Sequence, residues 1–146
     1  RRLAMVMITD AESGLLNRSG FLARVGEELL RTERGGGDVS LLAISIDGLE
    51  RLEEEHGDEG AQRLLGGFSE ALRVVARRTD AVARIGRAEF AMLLPGTGAA
   101  TSRMLAERHQ TVLGDWLTTR APRIGCTVGT TTAPLGRELG AEALLG

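Results

Sequence analysis

The sequence predicts an α/β layer structure built on a mixed sheet, and three observations carry that expectation. Amphipathic stretches at helical spacing alternate along the chain with short apolar runs. Two of those runs, residues 81–85 and 89–94, are separated by three residues beginning at Gly86 and must pair antiparallel as a hairpin. The other runs are joined through helix-length segments, which favour some parallel pairing.

Each element has its own signal. After residues 10–18, Ser19 can cap a helix carrying Phe21, Leu22, Val25, Leu29 and Leu30 on one face, and Gly35-Gly36-Gly37 breaks it. Residues 39–46 form a nearly continuous apolar run, as expected of a central strand, and end at the turn signal Asp47-Gly48. Residues 59–77 place Leu64, Leu65, Phe68, Leu72, Val75 and Ala76 at helical spacing. The hairpin follows and stops at Pro95-Gly96. A helix is expected over residues 99–117, and a strand over the β-branched residues 124–132. Beyond Pro134 only residues 141–145 hint at the start of a helix.

Composition narrows the function. A chain of 146 residues with 42% hydrophobic and 26% charged residues fits one folded domain. Aromatics make up 3% and Tyr is absent, so stacking platforms for bases are lacking and no nucleic-acid polymer is expected as a partner. A net charge of −2 with mixed signs provides no field for DNA or an anionic membrane, so an anionic ligand must be gripped locally. Cys126 is the single cysteine, which excludes an internal disulfide. No signal-peptide core is evident, and apolar runs such as residues 3–8 fall far short of the roughly 20 residues that span a bilayer. A cytoplasmic location without direct membrane contact from this segment is expected.

Residues 83–95, reading Ala-Arg-Ile-Gly-Arg-Ala-Glu-Phe-Ala-Met-Leu-Leu-Pro, resemble the signature hairpin of GGDEF domains, with Gly86, Arg87, Ala88, Glu89 and Phe90 at the five signature positions. Asp10, Gly14, Leu15, Asn17 and Arg18 resemble the family's entry segment, Ala106-Glu107-Arg108 its helix after the hairpin, and Thr127-Val128-Gly129 its late strand. The resemblance implies an α+β fold in which helices flank a central mixed sheet of about five strands, similar to the palm of nucleotide cyclases and polymerases. Residues 1–9 are then a linker or preceding segment, and residues 10–146 a single degenerate GGDEF domain with a truncated C-terminal helix. The family's usual activity is condensation of two GTP molecules into cyclic di-GMP between the subunits of a dimer.

Phosphoryl transfer from GTP uses divalent ions held by hard carboxylate oxygens. The resemblance places the two family metal ligands at Ser45 and Ala88, neither a carboxylate, and the guanine-reading residues at Glu53 and Gln62. Asp47 is taken to point away from Ser45. Arg87 stands where a bare glycine lets phosphate approach; it is open between a tolerated substitution and a new phosphate contact. Glu89, a catalytic acid in the family, is expected to be structural. The chain is therefore expected not to be an enzyme, to have no catalytic residues, to hold no metal and to need no magnesium or other cofactor.

A second family feature is an Arg-x-x-Asp site for the product, matched here by Arg77-Arg78-Thr79-Asp80 ahead of Gly86, with Arg108 as a further arginine. An arginine fork fits a phosphate or the O6/N7 edge of guanine, and a carboxylate accepts from guanine N1 and N2. The expected function is a cyclic di-GMP receptor or regulatory module acting through Arg77, Asp80 and Arg108. A ligand-free interaction or dimerisation module and a weakly active cyclase or GTP-sensing domain are the alternatives. A homodimer and additional domains in a longer protein are the other expected partners. Gly96-Thr97-Gly98 reads as a strand-to-helix turn, His56 and His109 as surface residues, and Cys126 and Trp116 as packing.

Overall fold

The computed structural model describes residues 7–133. The elements follow in the order α1 (Arg18–Gly35), β1 (Val39–Asp47), α2 (Leu49–Val75), β2 (Ala81–Gly86), β3 (Glu89–Pro95), α3 (Ala99–Arg120) and β4 (Gly125–Ala133). Most of the expected linker and the helix start expected at residues 141–145 lie outside the described residues.

The sheet has four strands in the order β2-β3-β1-β4, and every neighbouring pair is antiparallel. Helices flank the sheet as the expected α+β fold requires; in place of mixed pairing over about five strands, the described residues form an antiparallel sheet of four. The helical crossovers do join strands running the same way, but α2 carries the chain from β1 past β3 to β2. Likewise α3 carries it from β3 past β1 to β4, so no two parallel strands become neighbours, as in split βαβ units. Parallel pairing among the described residues is confined to an isolated bridge between Leu16 and Ala83, which lays the entry segment beside β2.

Two helix starts also differ from expectation. Asn17, rather than Ser19, caps α1, its Oδ1 accepting from the Gly20 amide at 2.8 Å. α2 begins at Leu49, ten residues early, because the buried Leu49 and Leu52 form a short apolar stripe that the run Glu53-Glu54-Glu55 masks in the sequence. Gly57, at φ 73°, breaks the helical path between this first piece and the main one.

Strand alternation divides the core in two. Leu42, Ile44, Ile46, Phe90, Met92 and Leu94 face α2 and α3, where they pack with Phe68, Leu72, Leu113 and Leu117. Val39, Leu41, Ala83, Ala91 and Leu93 face α1 and meet Phe21, Val25 and Leu29. α1 covers only one end of its face, so Ala43, Ser45 and Asp47 at the other end of β1 are left exposed or half-buried.

Candidate functional site

The hairpin turn sits at the end of the sheet that α1 leaves open. A Cβ at Gly86 would lie 2.5 Å from Glu89 Oε1, so a side chain there would displace the Glu89 carboxylate. Arg84 fixes the turn from beneath: Nη2 and Nε donate to the Arg87 carbonyl at 2.7 and 3.2 Å. The other end of that guanidinium is held by Glu12 at 2.6 Å and Asp10 at 3.5 Å. Burial raises the affinity of the Asp10 carboxylate for a proton, yet hydrogen bonds from Ser13 and the nearby Arg84 together hold it below its ordinary range.

Ser45 lies directly opposite Glu89 on β3 and Thr127 on β4. Asp47 shares this face with Ser45, since a two-residue step along a strand returns to the same side, and its Oδ2 accepts from the Thr127 hydroxyl at 3.0 Å. The expectation that Asp47 points away is thereby corrected. The face carries two carboxylates, Asp47 and Glu89, with a hydroxyl between them; among the described residues no three His, Cys, Asp or Glu side chains gather into a metal-binding group. Ala88 turns toward the α2 side, packed against the core, and its carbonyl accepts from the Ile46 amide at 2.9 Å.

Arg87 reaches across to α2 and forms an ion pair with Glu53. Gln62 lies further along α2, lining a cavity of about 180 Å³ together with Glu12, Ser13, Ser69 and Arg84. Glu53 and Gln62 are thus separated in role: the first is engaged by the hairpin, the second faces the cavity.

The second cluster forms where α2 gives way to β2. Asp80 accepts from the Arg77 backbone amide at 2.8 Å and from Arg77 Nε at 3.1 Å, while Nη2 stands 2.9 Å from Oδ1. Nη2 also donates to Thr97 Oγ1 at 2.7 Å. The Asp80 side chain is 1% exposed and that of Arg77 43%. A cavity of about 340 Å³ opens beside them, bordered by Gly14, Leu16, Arg73 and Val82. Arg108 is exposed on α3 and forms no ion pair or hydrogen bond among the described residues. Its charge acts on His109, as do those of Asp80 and Arg77, which brings this stretch of α3 alongside the turn.

Three residues of these clusters escaped the sequence reading. Arg84 is a buried charge in an otherwise apolar strand, and that anomaly is its signal. Thr97 anchors Arg77 from a segment that reads only as a turn. His109, expected at the surface, is buried on the inner stripe of α3; its spacing of three from Ala106 and four from Leu113 already marks that stripe.

The family model described as "Diguanylate cyclase, GGDEF domain" matches residues 7–145. The chain belongs to the GGDEF family. It is 36% identical over 101 residues to diguanylate cyclase DgcP of Pseudomonas aeruginosa, a match covering 69% of this chain and 15% of DgcP. With diguanylate cyclase DgcS of Shewanella oneidensis it shares 26% identity over 133 residues, 91% of this chain and 45% of DgcS. The GGDEF chain thus spans less than half the length of either relative. Among solved structures, diguanylate cyclase SiaD of Pseudomonas aeruginosa, in complex with its activator SiaC, superimposes with a TM-score of 0.77 at 27% identity, over 94% of this chain and 56% of SiaD. The GGDEF domain of DgcB from Caulobacter crescentus, in complex with c-di-GMP, gives a TM-score of 0.80 at 18% identity over 99% of this chain and 85% of that domain; this likeness is one of fold.

These relatives overturn the expectation that the chain is not an enzyme. DgcP and DgcS are both named diguanylate cyclases, and the GGDEF family model carries the same description. The expectation rested on the side chains at Ser45, Ala88, Glu53, Gln62 and Arg87, and it set Asp47 on the wrong face. The fold returns Asp47 to the face of Ser45 and Glu89.

Proposed function

We propose that this GGDEF domain binds cyclic di-GMP at the turn between α2 and β2, with Arg77, Asp80 and Arg108 holding the ligand. The state of the Arg77 guanidinium carries this reading. One side of the fork is fixed by Asp80 and Thr97, and among the described residues nothing accepts from Nη1. An arginine held in this way offers a pre-ordered edge to a phosphate or to guanine O6/N7, and little side-chain freedom is lost when it binds. Arg108 supplies a second positive charge for a ligand with two phosphates. The grip is local, as a chain of net charge −2 requires. It uses no divalent ion, so binding is expected to persist in a chelator.

Calorimetric titration with cyclic di-GMP tests the reading. Saturable binding that weakens at least about tenfold in Arg77→Ala supports it. Equal affinity in that variant overturns the residue assignment, and no binding at tens of micromolar overturns the ligand.

The names of the relatives favour a second reading, condensation of GTP to cyclic di-GMP at the face of Asp47 and Glu89, with self-association supplying the second substrate. Incubation with GTP and magnesium, followed by chromatography for the dinucleotide, decides it; no product at high protein concentration counts against it.

A further inference from the structure

His109 is the one buried ionisable group at the ligand turn that the proposed site leaves without a task. It is 5% exposed, and among the described residues its Nδ1 has no hydrogen-bond partner. A buried ring nitrogen without a partner costs free energy, and native folds keep few such groups. The imidazole adjoins Arg108 in sequence, and three charges act on it from two sides. Asp80 and Arg77 act from the turn between α2 and β2, and Arg108 acts from α3 itself. Of the elements packed on α3, β4 carries no charged side chain and its Cys126 lies against Gln110, β1 carries only Asp47, which is held by Thr127, and the charges of α2 before Arg77 do not act on His109.

We propose that His109 is a fourth residue of the dinucleotide site, a positioning residue that takes up a proton when the ligand binds and then supports the Asp80 carboxylate. The inference rests on the reading of Arg77, Asp80 and Arg108 as the ligand site.

The physical sequence is short. Without ligand, the imidazole is kept neutral first by burial and then by the two arginines, Asp80 alone favouring its charged form. The phosphates of a bound dinucleotide offset the charges of Arg77 and Arg108. Asp80, already the strongest single charge acting on His109, is then unopposed, and the ring becomes easier to protonate. The proton comes from solvent and no bond to the ligand is made. By linkage, the state that binds the proton more tightly also binds the ligand more tightly. Affinity therefore rises as pH falls through the range of the bound-state imidazole.

The chain has two histidines, and the other, His56, is exposed on the first piece of α2, bordering cavities with Arg120 rather than the ligand turn. Substitution at position 109 therefore separates the two sources of any pH effect near neutrality.

Calorimetry of the unaltered protein with cyclic di-GMP at pH 5.5, 6.5, 7.5 and 8.5 is the test. At each pH it is run in two buffers of different ionisation enthalpy, so that proton uptake is read directly. The expected result is net proton uptake between pH 5.5 and 7.5, with affinity rising toward low pH by up to about tenfold for each unit by which the ligand raises the imidazole pKa. His109→Leu, and His109→Gln as a polar alternative where the apolar variant misfolds, lose the proton uptake and the rise of affinity toward low pH. Equal heats in both buffers, or the same pH dependence in the folded variant, overturn the inference while leaving the site intact. Absence of binding at every pH overturns the site and the inference together.

Discussion

Asp80 holds Arg77 through the backbone and the side chain at once: the Arg77 amide lies 2.8 Å from Oδ2, and Nε lies 3.1 Å from Oδ1. One carboxylate thus closes the turn and aims the guanidinium. Asp80→Asn removes the charge and replaces one acceptor with a donor. Hydrogen bonds to charged groups contribute about 1.5–3 kcal/mol, but the half-exposed arginine end is screened by solvent, so a loss of about 1 kcal/mol of stability is expected. Affinity for cyclic di-GMP falls at least about tenfold, since the fork is no longer aimed. Thermal unfolding and calorimetry on the same variant measure both; unchanged affinity would show that Arg77 needs no such anchor.

Thr97 gives a cleaner separation of aim from stability. Its hydroxyl accepts from Arg77 Nη2 at 2.7 Å and donates to the Pro95 carbonyl at 3.1 Å. Thr97→Val keeps the shape and removes both bonds. A net hydrogen bond of about 0.5–1.5 kcal/mol predicts a loss of affinity of about three- to tenfold. Full affinity in this variant would show that Asp80 alone sets the fork.

How much of this was legible in the sequence depends on the range of the interaction. The hairpin, the central strand β1 and the main body of α2 follow from period and punctuation, because those signals are local. The antiparallel sheet was not legible: which strand a crossover steps over is decided by packing of the whole chain. The same division runs through the site. Arg77 and Asp80 are three apart and meet through one turn, whereas Thr97 reaches that turn because β3 pairs beside β2, and His109 because α3 lies alongside. Asp47 is a different case, since the alternation of strand residues already places it with Ser45.

Arg84 ties the entry segment to the hairpin, and its buried guanidinium makes the arrangement sensitive to pH and to substitution. Asp10 has its carboxylate held below its ordinary range, so its contribution to stability is fully present above the unfolded value of 3.8 and is lost as pH falls through the folded one. Urea midpoints are expected to fall steeply below about pH 4 in the unaltered protein and less so in Asp10→Asn. Arg84→Met leaves Glu12 and the Arg87 carbonyl without their donor. Breaking such a buried ionic group costs about 3–5 kcal/mol, and the exposed Glu12 end brings the expectation toward the lower figure. A variant as stable as the parent would show that the loop and hairpin hold their positions unaided.

The Arg87–Glu53 pair joins the hairpin turn to the first piece of α2. Its arginine end is exposed, so the pair itself contributes about 0–1 kcal/mol and weakens with salt. Its effect on GTP binding is expected to exceed its effect on stability, because the family resemblance places Arg87 at the phosphate approach and Glu53 at a guanine-reading position. Arg87→Gly combined with Glu53→Asn removes both. Unfolding midpoints are expected to stay close to those of the parent, while competition with a fluorescent GTP analogue shows tighter binding of GTP. Raising the salt concentration should move the parent protein partway in the same direction, although screening of the phosphates opposes that gain. Equal GTP affinity in the parent and the double variant, each compared at low and high salt, would show that the pair is a surface contact without control over GTP binding.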